Sequence, residues 1–133
     1  MSNDKLILVV DDDPDLVESV SMKLEGEGFQ VAKAYDGVEA WDRIKHERPH
    51  MLILDVMMPR KDGFELVVEL KDDERTSHIP IILLTARADA DSRIAGLSRG
   101  ADAYLEKPFD SEELNVRISA LIESRSKLQK RYA

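Results

Sequence analysis

Six side chains could carry chemistry in this sequence, and each follows a short apolar run: Asp11, Asp12 and Asp13 after LILVV, Asp55 after MLIL, Thr85 after IILL, and Lys107 after AYLE. Carboxylates brought together raise one another's pKa unless positive charge joins them. A divalent cation and the Lys107 ammonium would supply that charge. An all-oxygen donor set, with no histidine or cysteine required, suits a hard ion such as Mg2+, which keeps water and shares its shell with phosphate. In such a setting a carboxylate oxygen can attack phosphorus and form an acyl phosphate. Phosphoryl transfer asks mainly for positioning and charge neutralisation, and an ammonium and a hydroxyl serve both. Each residue alone also has an ordinary reading. Asp11 to Asp13 could be a solvated helix entry with a cap, Thr85 a β-branched strand residue and Lys107 an exposed lysine. What argues for a site is their joint occurrence at strand ends.

The elements that must position these groups are legible from hydrophobic period. Five apolar, branched runs at Leu6 to Val10, Gln30 to Ala34, Met51 to Leu54, Ile81 to Leu84 and Ala103 to Leu105 alternate with stretches of helical period. That is the pattern of a parallel sheet covered by helices on both faces. The first helix starts at Pro14 behind Asp13 as cap, with Leu16, Val20 and Leu24 on one face, and Gly28 lets the chain turn. Asp36 caps the second, with Glu39 three residues on and the stripe Ala40, Trp41, Ile44 following. The third carries Leu66, Val67 and Leu70, and the fourth Ala90, Ile94 and Leu97 before Gly100. The last begins at Asp110 with Glu113 and keeps Leu114, Ile118, Leu121 and Leu128 apolar. It is too long for its domain, and its end is basic: Arg125, Lys127, Lys130 and Arg131. Basic residues there complement the helix macrodipole, or mark a connector onward. Gly63 is expected at a turn needing positive φ, behind Pro59. His46, His50 and His78 read as surface residues, and Trp41 as core.

The bulk numbers bound the function. A chain of 133 residues, 43% hydrophobic and 35% charged, makes one domain with a core. A net charge of -8 disfavours direct binding to nucleic acid or an anionic membrane. With no cysteine, disulfides and thiolate metal sites are excluded. The polar, acidic start lacks a secretory signal's apolar core, so a cytoplasmic location is expected.

Four segments, ILVVDDDPD from Ile7, LILDVMMPRKDG from Leu52, PIILLTA from Pro80 and GADAYLEKPF from Gly100, occur in the order and spacing of one family. Over Lys5 to about Ile122 the chain resembles the response-regulator receiver domains of two-component systems. The resemblance implies a flavodoxin-like, doubly wound α/β sandwich with a five-stranded parallel sheet in the order 2-1-3-4-5, five helices, and an extended C-terminal helix. It implies a receiver over residues 1–122, with 123–133 extending the last helix as a linker to an output domain or a free tail. It casts Asp55 as the phosphoacceptor. The ligands of Mg2+ would be Asp12, Asp11 through water, Asp55 and the backbone carbonyl of Met57. Lys107 would bridge Asp55 and the phosphate. Thr85 and Tyr104 would form the switch pair, and the Lys107–Pro108 bond would be cis. Met57 and Arg87 would tune the lifetime of the phosphorylated form. Such a domain takes its phosphoryl group from a sensor histidine kinase or phosphotransfer protein. It then alters the face made by the fourth and last helices and the fifth strand, toward a partner, an attached output domain or a second copy of itself. It is a switch and not an enzyme, since it turns over no separate substrate.

Three rivals share parts of this pattern. A haloacid-dehalogenase-type phosphohydrolase also places a D-x-D after an apolar strand and would use Asp11 as nucleophile. That motif usually continues with Thr or Val where this chain has Asp15, and little chain is left for a substrate-closing cap. A flavodoxin-like cofactor carrier would need a phosphate loop where three aspartates repel phosphate. A degenerate receiver would lack a site residue, and none is missing.

Overall fold

A computed structural model of the chain describes residues 5–56, 63–85, 100–107 and 109–132. The short apolar runs become strands β1 (Leu6–Val10), β2 (Gln30–Ala34), β3 (Met51–Asp55), β4 (Ile81–Thr85) and β5 (Ala103–Glu106). The 3.6-period stretches become α1 (Pro14–Gly26), α2 (Gly37–Glu47), α3 (Gly63–Lys71) and α4 (Ser111–Tyr132). All strand pairs are parallel, in the order β2-β1-β3-β4-β5. The order and the α/β architecture agree with expectation. The helix expected around Ala90 to Leu97 lies outside the described residues.

Every residue of β3 and β4 is buried, as strands covered on both faces must be. Alternate residues sort into two cores. On one face Leu8, Val10, Leu52, Leu54, Ile81 and Leu83 pack with Ala40 and Ile44 of α2 and Leu66, Val67 and Leu70 of α3. On the other, Ile7, Val9, Ile53, Ile82 and Leu84 pack with Val17, Val20 and Leu24 of α1 and Leu114 and Ile118 of α4. The sheet is thus a central layer, and both cores are closed by helices.

Caps fix where the helices start. The Asp13 side chain accepts from the Asp15 N–H at 3.0 Å, with Pro14 in the first turn of α1. Asp36 accepts from Glu39 N–H at 2.8 Å, and Asp110 from Glu113 N–H at 2.8 Å. Each satisfies an orphan donor of a helix N-terminus. α2 ends at Arg48, which adopts a left-handed conformation at φ 49°. Gly28 and Gly100 have positive φ, but Gly63 does not. The expected reason for a glycine at 63 is therefore corrected: a Cβ there would run into the Asp55 carbonyl oxygen and sit 2.9 Å from Val56 Cα. The start of α3 lies so close against the end of β3 that only glycine fits.

Candidate functional site

Adjacent strands β1 and β3 end side by side, with Val10 opposite Leu54, so the residues that follow them meet at the carboxyl edge of the sheet. Asp11 and Asp55 are both buried there, and Asp12 is exposed. One carboxylate oxygen from each of Asp11, Asp12 and Asp55 lies within 4.8 Å of the others. Backbone bonds hold the edge in place. Asp11 N–H donates to Ala34 carbonyl at 3.2 Å, Val56 N–H to Leu84 carbonyl at 2.9 Å, and Gly63 N–H to Val56 carbonyl at 2.9 Å.

Lys107 reaches this cluster from beyond β5. Its Nζ donates to Asp11 Oδ2 at 2.7 Å and stands 3.4 Å from Asp55 Oδ1. Its own backbone N–H is anchored on the Thr85 carbonyl at 2.6 Å. The expectation of a lysine beside Asp55 agrees with this geometry, and the structure adds that Asp11 is the nearer carboxylate. Asp11 Oδ1 also accepts from Asp13 N–H at 2.9 Å, so both its oxygens are occupied. The sequence offered Asp13 as a helix cap and as part of the acidic run, and the structure adds that its N–H donates to Asp11. The D-D-D run held the signal, because an Asx turn needs an N–H two residues on.

The charges on these groups reflect competing forces. Burial pushes the Asp11 carboxyl above its ordinary value, and the hydrogen bond from Lys107 only partly offsets this. Burial opposes the charge on Lys107 as well, yet Asp11 and Asp55 together hold its pKa above that of a free lysine. The donor set fits a hard dication: all-oxygen, anionic in excess of the Lys107 ammonium among the described residues, and open to water on the Asp12 side. Asp11, Asp12 and Asp55 are the residues that could hold it.

Thr85 is buried at the end of β4, and Tyr104 is half-buried on β5. Tyr104 stands opposite Leu83, two residues before Thr85, so Thr85 and Tyr104 share one face of the sheet. Tyr104 packs against the core on that face. Met57, Arg87 and Pro108 lie outside the described residues. His46, His50 and His78 are all exposed, as expected, and His50 Nδ1 accepts from Leu6 N–H at 3.0 Å. No helix among the described residues is long and apolar enough to cross a membrane.

Comparison with known proteins adds sequence and structural relatives to this geometry. Residues 7–119 match the family model described as the response regulator receiver domain. The response regulator MprA of Mycobacterium avium is 50% identical over 116 residues, which cover 87% of this chain and 50% of MprA. The DNA-binding dual master transcriptional regulator RpaA of Synechocystis is 42% identical over 116 residues, 87% of this chain and 48% of RpaA. Among solved structures, the BeF3-activated DrrB receiver domain superposes with a TM-score of 0.83 at 33% identity, covering 91% of this chain and 99% of that one. The chain spans about half the length of these curated relatives.

Proposed function

Because this chain belongs to the response-regulator receiver family, a family of phosphorylation-activated signalling switches, we propose that Asp55 is the residue that accepts the phosphoryl group. The donor is the phosphohistidine of a sensor kinase or phosphotransfer protein. The observation that carries the reading is the convergence of Asp11, Asp12 and Asp55 with one ammonium at 2.7 and 3.4 Å from two of them.

In the transfer an Asp55 oxygen bonds to phosphorus as the P–N bond to the donor imidazole breaks, and the imidazole nitrogen keeps the electron pair. Lys107, held by Asp11 at 2.7 Å, is within reach of both the acceptor carboxylate and the incoming phosphoryl oxygens. The Thr85 hydroxyl donates to one of those oxygens, and Tyr104, on the same face of the sheet, turns inward behind it. Asp11, Asp12, Asp55 and the Met57 carbonyl would hold Mg2+, which when bound supplies positive charge against the phosphoryl oxygens. The domain assists its own phosphorylation and hydrolysis and turns over no separate substrate.

Residues 1–122 are the receiver, and 123–133, which follow it along the last helix, are a linker to an output domain or a free tail. Supporting this, α4 has 22 residues and so runs about 33 Å, while the family match ends at residue 119. With 27 acidic against 19 basic residues, any nucleic-acid contact would belong to a domain beyond α4 rather than to this one. The face of β5 and α4 would carry the signal to that domain, a separate partner or a second copy.

Acetyl phosphate or beryllofluoride with Mg2+ tests the assignment by intact-mass spectrometry with peptide mapping. One adduct is expected on Asp55 of the wild type and none on Asp55→Asn. An adduct on Asp11 in place of Asp55 would favour phosphohydrolase chemistry and overturn it.

A further inference from the structure

At the amino end of the sheet, away from the acidic cluster, the C-terminal turn of α2 and the segment 75–79 before β4 enclose a cavity of about 300 Å³. β4 separates this end from Thr85 by five residues, about 16 Å. Ile44 and Ile79 are buried and form an apolar floor, and the half-buried indole of Trp41 lines one wall. Lys45, Arg48 and Arg75 supply cations, and no carboxylate among the described residues lines the space. Glu69, Asp72, Asp73 and Glu74 lie in a separate recess that also includes Trp41 and Arg75, so charge is polarised across the indole. Arg75 is already paired with Asp73 at 2.7 Å. Lys45 and Arg48 make no ion pair among the described residues.

Arg48 is a second, independent pointer. It is the one non-glycine with positive φ among the described residues, at a helix C-cap where glycine is the ordinary solution. Lys45 alone is explained as a cation complementing the C-terminus of α2. That explanation does not require a long cationic side chain at a left-handed position whose residue lines a cavity. Residues held in such conformations cluster at ligand clamps, active sites and switch regions.

We propose that this cavity binds a small planar heteroaromatic anion of the mononucleotide type. The ring would stack on Trp41, and the phosphate would be held by Arg48 and Lys45. Aromatic stacking plus charge-assisted hydrogen bonds is the recognition these side chains can give, and the volume lies at the lower end of the range for small-molecule sites.

Trp41 is the only tryptophan in the chain, so its emission reports on this cavity. Wild-type protein titrated with guanosine 5′-monophosphate should show saturable quenching with a submillimolar Kd. Inorganic phosphate should compete, and uncharged guanosine should bind at least about tenfold more weakly. Arg48→Gly, which removes the cation at a position glycine favours, should weaken binding about tenfold, with Lys45→Gln as the second variant. Backbone amide shifts should centre on Thr76 and Ile79. Quenching that fails to saturate in the millimolar range, equal binding of guanosine, affinity unchanged in both variants, or shifts centred on Asp11 and Asp55 would each overturn the proposal.

Discussion

The balance at the site rests on Lys107. Its ammonium serves two buried carboxylates at 2.7 and 3.4 Å, and the burial that raises the pKa of Asp11 is opposed chiefly by this one side chain. Replacing it by alanine removes the ammonium that both acids share, which costs about 2 to 3 kcal/mol at neutral pH in the presence of a chelator. The pH dependence has a definite sign. Because the folded pKa of Asp11 lies above 3.8, the native state binds that proton more tightly than the unfolded chain does. The Asp11 contribution therefore favours folding most below pH 3.8 and is lost as pH rises through its folded value. The raised pKa of Lys107 works the other way in range: its contribution is complete below 10.5 and disappears as pH rises through the folded value. In Lys107→Ala the Asp11 pKa climbs further, so the deficit against wild type should be larger at pH 7 than at pH 4.5. Urea unfolding at the two pH values checks this, and equal deficits would show that Lys107 does not govern the charge on Asp11. The cluster itself was legible, because aspartates, threonine and lysine after apolar runs must meet at one edge of a parallel sheet. That Lys107 lies nearer Asp11 than Asp55 was not, since the choice depends on side-chain paths across the edge.

Elements are held to the site by close backbone approach as much as by side chains. Gly63 opens α3 directly against the Asp55 carbonyl, and its N–H donates to Val56 carbonyl at 2.9 Å. A methyl group there must displace the backbone of Asp55 and Val56. Gly63→Ala should cost about 1 to 3 kcal/mol of stability and slow modification of Asp55 by acetyl phosphate. A variant of wild-type stability and rate would refute the close approach. Gly63 behind Pro59 signalled a turn, and the turn chemistry of glycine is positive φ. Here the reason is steric, set by where β3 ends relative to α3, and a local pattern carries no information about that distance. The helix caps were the opposite case. Asp13, Asp36 and Asp110 each act within three residues, so their roles could be seen from the sequence directly.

For the whole molecule, the site is a property of the assembled sheet: β1, β3, β4 and β5 contribute one strand end each. A ligand that binds only this arrangement stabilises the fold by linkage. At about ten times its Kd, Mg2+ should add about 1.4 kcal/mol to the unfolding free energy of the wild type. Asp12→Ala should lose that increment. Thermal melts with Mg2+ and with chelator measure the difference, and an undiminished shift in the variant would remove Asp12 from the metal ligands. By itself the sequence determined the five strands, the four described helices, the caps of three of them and the identity of the clustered acids, because period, turn residues and the motifs around Asp11, Asp55, Thr85 and Lys107 are written along the chain. Only the tertiary structure decided which oxygen the ammonium bonds, why residue 63 has no side chain, and that Trp41, packed against the core as expected, also lines a cationic cavity. Those outcomes depend on distances between segments far apart in sequence, and such distances are fixed by packing two helical layers on a twisted sheet.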